Sequence, residues 1–218
     1  MNRKCQSCKL VARRETPECP RCGGVLADRN PHRGRILRRI LVCISVCVTL
    51  ILGFYLSLIG SARSLTYDQK QIVRSAIKVV RDRGFSDEAR LLENFTAYRS
   101  TDNWLNEMVA KENAYAATNF PFEIMTLYAD FFAYPVDDTE RAAILLHEAR
   151  HLMGEDERQA YSYVWKNRTK LGWTREAYAD STVWESVREQ TRETVPELFV
   201  CPANDFEDCT EVTRLRLP

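Results

Sequence analysis

An uncharged apolar run at positions 40–60 limits what this 218-residue chain can fold into more than any other feature of its sequence. The run reads ILVCISVCVTLILGFYLSLIG, and at about 1.5 Å per helical residue it matches a hydrocarbon layer of about 30 Å. A buried core helix is the alternative, but helices of globular proteins normally carry a polar stripe, whereas the polar side chains here are Ser45, Thr49 and Ser57, which a helix can satisfy internally. We predict one transmembrane helix, with the lipid bilayer as its partner.

The charges on the two sides of this run have opposite signs. Residues 1–39 hold eleven Lys or Arg and three acids, a net charge of +8, whereas residues 61–218 hold twenty basic and twenty-seven acidic residues, a net charge of −7. The positive-inside rule predicts a cytoplasmic N-terminus and an extracytoplasmic C-terminal domain in a single-pass membrane protein. A cleaved signal peptide is the alternative, but the thirty-nine residues before the run favour an uncleaved anchor.

Four of the eight cysteines form a metal-binding pattern, Cys5-x2-Cys8 and Cys19-x2-Cys22. Four thiolates in this spacing can surround one zinc ion at about 2.3 Å, and so short a segment needs such a cross-link to fold. The segment Cys19-Pro20-Arg21-Cys22-Gly23-Gly24 resembles the knuckle of a zinc ribbon. We predict a structural zinc ribbon over residues 1–28 and a basic linker over 29–39. Disulfides are the alternative, which a reducing cytoplasm disfavours.

The remaining cysteines and the basic residues suggest little further chemistry. Cys43 and Cys47 lie within the apolar run and are expected to pack as small apolar residues. Cys201 and Cys209 are predicted to form a disulfide on the oxidising side of the membrane. Nucleic acid is not expected as a partner, because no aromatic residues are interleaved with the basic ones. A cytoplasmic protein could instead dock on the ribbon.

Residues 66–218 are predicted to form one α+β domain that is mostly helical. The main strand candidate is Phe122–Tyr134, which is rich in aromatic and β-branched residues and ends before Pro135. Helical periods and caps predict helices at about residues 67–83, from 86, 103–117, 141–153, 157–167 and 174–193. Trp165, Trp173 and Trp184 are expected in the core.

Two of the three histidines lie in His147-Glu148-Ala149-Arg150-His151, an HExxH pattern. Residues four apart share one face of a helix, so the two imidazoles can bind one Zn²⁺ while Glu148 reaches a water beside it. Glu148 would then act as the general base in hydrolysis of a carbonyl compound. In the alternative, both histidines are ordinary helix residues. The apolar residues 142–146 favour a metal site, because they place the motif on a buried helix.

A catalytic zinc site needs a third protein ligand, and Glu155, Asp156 and Glu157 are the nearby acids. The sequence here resembles the zincin metallopeptidases. Residues 147–157 are similar to the metzincin pattern HExxHxxGxxH/D, with Glu157 in the place of the last ligand. Residues 157–161, Glu-Arg-Gln-Ala-Tyr, also resemble the E-x-x-A-D segment of gluzincins of the prenyl-protein protease kind. The segment 124–161 is similar to deuterolysin-type aspzincins, for which Asp156 would be the ligand, so Asp156 is the second choice.

These patterns predict a zincin-like, membrane-anchored zinc metallopeptidase that hydrolyses peptide bonds in a protein or peptide substrate. The expected cofactors are one catalytic and one structural zinc ion. Tyr161, one turn after Glu157, is a candidate for stabilising the transition state, with a core tyrosine as the favoured alternative. The alternative function is a non-catalytic, membrane-anchored zinc-binding module for signalling or interaction.

Overall fold

The computed structural model of the chain describes residues 2–13, 16–28, 31–105, 107, 115–119, 124–200 and 208–210. The chain divides into an N-terminal unit, Met1–Ser57, and a C-terminal unit, Leu58–Pro218. The described residues are mostly helical and include two small three-stranded sheets. This confirms the prediction that the fold contains both helices and strands, with helices predominating.

Three short antiparallel strands form the sheet of the N-terminal unit, in the order β2-β1-β3. They are β1 (Asn2–Cys5), β2 (Val11–Arg13) and β3 (Leu26–Asp28). The buried core of this sheet consists of Cys5, Cys19 and Leu26. Because so small a core cannot offset the entropy of ordering the segment, the unit needs a cross-link at its cysteines.

The apolar run lies in one long helix, α1 (Pro31–Ser61). An 18-residue stretch of this helix has a mean hydropathy of 2.5, and none of its residues is buried. The hydroxyls of Thr49 and Ser57 donate to the carbonyls of Ser45 and Phe54 at 2.8 and 2.9 Å, so the helix satisfies these polar groups itself. The helix is thus long and apolar enough to cross a membrane.

The C-terminal unit consists of helices around a second sheet. The described helices are α2 (Tyr67–Asp82), α3 (Ser86–Asn94), α4 (Ala129–Ala133), α5 (Asp138–Leu152), α6 (Glu157–Leu171), α7 (Arg175–Tyr178) and α8 (Thr182–Thr194), followed by a 3-10 turn at Pro196–Phe199. The strands are β4 (Ala97–Arg99), β5 (Ala116–Asn119) and β6 (Ile124–Leu127). The central strand, β6, pairs in parallel with β4 and antiparallel with β5.

Helix α5 is the central helix of the C-terminal unit and packs against α2, α3, α6 and β5. Residues 142–146 in this helix are all buried. A helix with neighbours on several sides needs an apolar surface on several sides, which explains this uninterrupted run. Trp165, Trp173 and Trp184 are buried beside one another, with ring centroids between 4.9 and 6.1 Å apart, which confirms their place in the core.

The predicted strand Phe122–Tyr134 is too long. Of its described residues, those from Ile124 to Leu127 form strand β6, and the chain then turns at Tyr128 into the short helix α4. Packing explains the difference, because the helical turn brings Phe131 into the core, where it is fully buried. A composition rich in aromatic residues predicts burial but does not distinguish a strand from a short helix.

Two predicted helices also need correction. Ala116 and Ala117, placed in a helix over 103–117, belong to strand β5, whose pairing with β6 is a long-range interaction. The predicted helix 174–193 is divided into α7 and α8. The division falls at Ser181, which accepts the amide hydrogen of Val183 as the N-cap of α8 and donates to the buried Glu140 at 2.5 Å.

A buried ion pair holds the end of the C-terminal unit. Arg168 and Asp208 lie 2.9 Å apart with side chains 2% and 0% exposed, and the indole of Trp165 donates to the same carboxylate oxygen at 2.9 Å. The next residue, Cys209, is disulfide-bonded. Its predicted partner, Cys201, lies outside the described residues, so the pairing stays a prediction.

Asp208→Ala should lower the free energy of unfolding of the C-terminal unit by about 3–5 kcal/mol, because it leaves the buried Arg168 cation uncompensated. Asp82→Ala is the matched control, since Asp82 pairs with Lys78 at 2.6 Å on the exposed face of α2 and should contribute less than about 1 kcal/mol. Urea unfolding followed by tryptophan fluorescence measures both. Equal effects of the two substitutions would contradict the role given to the buried pair.

Candidate metal centres

The four cysteines of the N-terminal unit come together, as the sequence predicts. The sulfurs of Cys5 and Cys22 are 3.5 Å apart, those of Cys8 and Cys19 are 3.4 Å apart, and all four lie within 4.8 Å of one another. Four thiolates bound tetrahedrally to zinc at about 2.3 Å would be about 3.8 Å apart. The cluster is therefore close to the dimensions of a structural zinc site.

The two Cys-x2-Cys segments have the same backbone conformation. The amide of Lys9 donates to the carbonyl of Cys5 at 3.1 Å, and the amide of Gly23 donates to the carbonyl of Cys19 at 2.9 Å. Lys9 and Gly23 occupy equivalent positions, and both are left-handed, with φ of 62° and 66°. Glycine adopts this conformation without strain, which explains its presence after the second pair of cysteines.

The thiols in the cluster cannot all ionise independently. Backbone hydrogen bonding at Cys8 lowers the pKa of the Cys5 thiol to about 6. The pKa of Cys22 is lowered by the backbone of Gly24 but raised overall to about 12 by the sulfurs of Cys5 and Cys8. One thiolate thus makes the next one harder to form, and a divalent cation at the centre would remove this repulsion.

The second cluster lies in the C-terminal unit and joins the HExxH motif to Glu157. The Nε2 atoms of His147 and His151 are 3.0 Å apart, and the Glu157 Oε2 atom lies 3.3 and 3.4 Å from them. In a tetrahedral zinc site with bonds of about 2.0–2.1 Å, neighbouring ligand atoms are about 3.3 Å apart. The three side chains thus fit one zinc ion.

A tight turn between α5 and α6 brings Glu157 back to the two histidines. Helix α5 ends at Leu152, and the chain reverses at Gly154, whose φ of 88° is accessible mainly to glycine. The amide of Gly154 donates to the carbonyl of His151 at 2.9 Å, which closes the end of α5. Glu157 is the first residue of α6 and therefore faces the last turns of α5.

The two other nearby acids have different roles. Asp156 caps α6 by accepting the amide hydrogen of Gln159 at 2.8 Å, and the Gln159 side chain accepts from the Asp156 amide at 3.0 Å. Glu155 pairs with Arg150 instead of joining the cluster. Among the three acids weighed from the sequence, the geometry therefore favours Glu157 over the second choice, Asp156.

Hydrogen bonds orient His151 and Glu157. The Nδ1 atom of His151 lies 3.0 Å from the carbonyl oxygen of Glu155, which leaves Nε2 as the atom that faces the cluster. Burial alone would lower the pKa of His151, but its bonds to the Glu157 carboxylate and the Glu155 carbonyl raise it to about 9. Hydrogen bonds from His147 and His151 hold the pKa of Glu157 well below its usual range. The cluster therefore favours a positive charge at its centre, which a divalent cation can supply in place of a proton.

Glu148 lies beside the cluster and is only 6% exposed. Its Oε2 atom accepts a hydrogen bond from the hydroxyl of Thr118, on strand β5, at 2.6 Å. Within the described part of the chain, Oε1 accepts no hydrogen bond. Thr118 thus fixes the carboxylate while one of its oxygens can still take a proton.

The cluster opens into a cleft of about 450 Å³, lined in part by His147, Glu148, Glu157, Tyr161 and Gln190. The ring of Tyr161 packs 4.3 Å from the ring of His147, centroid to centroid, and its hydroxyl donates to the side-chain oxygen of Gln190. Burial, followed by the charges of Glu157 and Glu148, raises the pKa of Tyr161 above its usual value, so this hydroxyl stays protonated. Tyr161 is both a wall of the cleft and a hydrogen-bond donor beside it.

Arg150 links the motif to its surroundings. Its Nε atom donates to Glu155 at 2.7 Å, a terminal nitrogen donates to Glu88 of helix α3 at 3.1 Å, and its guanidinium lies 4.0 Å from the ring centroid of Tyr163. The backbone carbonyl of the same Glu155 orients His151. Arg150 is therefore a positioning residue for the cluster.

Comparisons with protein-family models, with curated proteins and with solved structures find no match to this chain.

Sequence reasoning missed three residues of this site. Thr118 lies just after the predicted helix 103–117, in strand β5, and no pattern pointed to a partner for Glu148. Arg150 occupies an unspecified position of HExxH, and Gln190 lies 29 residues after its partner Tyr161. Each acts through a long-range contact that has no local signature.

Glu157→Ala should lower zinc affinity at the second cluster by more than about 100-fold, since losing a direct ligand costs more than losing a residue that only orients a ligand. Asp156→Ala should instead remove about 1 kcal/mol of stability with the helix cap and retain the metal. Zinc content after dialysis against a chelator, together with thermal unfolding of the full chain, separates the two effects. Metal loss in the Asp156 variant alone would make Asp156 the ligand.

Arg150→Gln should weaken zinc binding at the same cluster about 10-fold, because the side-chain contacts that hold Glu155, whose carbonyl orients His151, are lost. Arg141→Gln is the matched control on the same helix, where Arg141 contacts Asp138 at 3.1 Å and the Pro135 carbonyl at 3.2 Å. Its zinc affinity should be unchanged. Chelator competition measures both variants, and equal affinities would remove Arg150 from the site.

Proposed function

We propose that the C-terminal unit is a zinc-dependent metallopeptidase of the zincin type, which helix α1 anchors in a membrane. One observation carries the proposal: His147, His151 and Glu157 form a three-donor cluster at zinc-ligand spacing, with the carboxylate of Glu148 beside it in the same cleft. A peptidase that activates water with a metal needs these two elements together.

The number of ligands distinguishes a catalytic zinc site from a structural one. Structural sites are closed by four protein ligands, whereas catalytic sites use three and keep one position open. In the described part of the chain, three ligating side chains form the second cluster, against four in the N-terminal unit. This difference supports catalysis at the second cluster and a structural role for the cysteine cluster.

Zinc held by these residues would lower the pKa of a coordinated water toward about 7 and polarise the substrate carbonyl. Glu148 would take the proton of the attacking water at Oε1, while Thr118 holds its other oxygen. The same carboxyl group would then deliver the proton to the leaving amine. Because Glu148 is buried beside the cleft, bulk water competes little for this proton.

The cleft suggests how a peptide would be held. Its apolar wall includes Ile144, Val164 and Val187, which can contact a substrate side chain. The Tyr161 hydroxyl could donate to the substrate carbonyl oxygen, provided that it exchanges its present bond to Gln190 for one to the substrate. A protein or peptide is therefore the proposed substrate class.

The proposal also covers the rest of the chain. By the distribution of Lys and Arg around α1, the four-cysteine segment of residues 1–28 would lie in the cytoplasm and the peptidase on the other side of the membrane. The four cysteines would hold a structural zinc ion, and the ribbon would be available to a cytoplasmic protein partner. The membrane would then separate the two metal centres.

Glu148→Gln should retain zinc at the second cluster and lower peptide hydrolysis by about 100–10,000-fold, because the amide cannot accept the proton of the attacking water. The assay uses the full chain in detergent and a library of quenched fluorescent peptides, with cleavage products identified by mass spectrometry. Glu189→Gln, an exposed change on α8, is the control that should retain activity.

Two results would reject this function. One is a full chain that binds two equivalents of zinc but cleaves no peptide, which would favour a non-catalytic binding module. The other is hydrolysis that is equal in the wild type and the Glu148→Gln variant, which would point to a contaminating peptidase.

A further inference from the structure

A second cleft, of about 540 Å³, opens in the C-terminal unit between α2, α3 and β4. It is larger than the cleft at the histidines and shares no lining residue with it. Its floor is apolar and consists of the buried residues Leu65, Val73, Ile77 and Leu92. Its walls carry three cations, Lys70, Arg74 and Arg99.

The charge of this cleft is positive and poorly compensated. Its one acid, Glu93, is paired with Arg81 and so does not neutralise the other cations. The side chains of Lys70 and Arg74 are exposed and have no carboxylate partner among the residues that the structure describes. The Nε atom of Arg99 is buried and has no hydrogen-bond partner in the same part of the chain. This N–H is therefore a donor that an acceptor in the cleft could use.

The cleft begins where helix α1 ends. Ser64, a lining residue, follows the last helical residue, Ser61, by three positions, a distance of at most about 11 Å. Residues just after α1 pair with strand β4 and the residue after it: the amide of Ser100 donates to the Arg63 carbonyl at 2.8 Å, and Ser64 forms a β-bridge with Arg99. If α1 crosses a membrane, the cleft must lie near the membrane surface.

An exposed aromatic side chain lies at the same place. The amide of Trp104 donates to the Ser61 hydroxyl at 3.3 Å, and Trp104 is 42% exposed. The neighbouring Leu105 is also 42% exposed. Tryptophan is enriched at the boundary between lipid and water, so both residues suit the headgroup region.

We infer that this cleft binds an anionic phospholipid of the membrane that α1 crosses, with Lys70, Arg74 and Arg99 at the phosphate and the apolar floor against the upper acyl chain. The inference rests on the membrane anchoring proposed above but not on peptidase activity. A bound lipid would hold the C-terminal unit against the bilayer. The substrates of the proposed peptidase would then be protein segments close to the membrane surface.

The test uses the full chain in nanodiscs of phosphatidylcholine, with and without phosphatidylglycerol, and follows hydrogen exchange over residues 63–74 and 97–101. We expect protection that increases with the fraction of phosphatidylglycerol. The double variant Lys70→Gln/Arg74→Gln should need about 30-fold more anionic lipid for the same protection. Lys78→Gln/Arg90→Gln removes the same charge from residues outside the cleft and should behave as the wild type.

Four results would overturn the inference. Protection could be the same with and without phosphatidylglycerol, or unchanged in the Lys70/Arg74 variant. Inorganic phosphate added to phosphatidylcholine discs could also give full protection, which would make the site one for a free anion. A folded chain that does not enter the discs would reject the membrane anchor and this inference together. The zinc content of the same samples tests the peptidase site separately.

Discussion

The turn between α5 and α6 is the constraint on which the candidate zinc site depends. It is short, it reverses the chain at a glycine with positive φ, and it ends at the N-cap of α6. Two histidines on one helical turn provide only one edge of a tetrahedron. The third corner comes from Glu157, because the turn starts the next helix directly opposite them. The geometry thus results from one local reversal supported by central packing of α5.

The residues with local signatures could be predicted from the sequence. Three features can be recognised from short stretches of the sequence alone: the cysteine pairs, the apolar run and the HExxH motif. The structure contains the corresponding four-cysteine cluster, long helix and histidine pair. Asp156 and Glu157 are adjacent, so spacing in the sequence could not show that Asp156 is the helix cap and Glu157 the candidate ligand. The two roles are distinguished by the capping hydrogen bonds between Asp156 and Gln159, which are seen only in the folded structure.

The predictions that were wrong concern long-range pairing. Strand β5 is four residues long, and its identity depends on β6 rather than on its own composition. For the same reason the sequence could not connect Thr118 with Glu148. The division of the last long helix depends on the contact of Ser181 with Glu140, 41 positions away. Burial in the core outweighed local propensity in each case.

Arg150 has a consequence for how short metal motifs are interpreted. In HExxH the third residue after the first histidine is treated as interchangeable, yet here the Arg150 side chain reaches the supporting structure rather than the metal-binding cluster. Here that direction leads to α3, to α6 and to the turn itself. Placing the five-residue motif in another helix would therefore transfer the metal-binding residues without the contacts that orient them. The unit of function is the motif together with the three elements that its unspecified arginine connects.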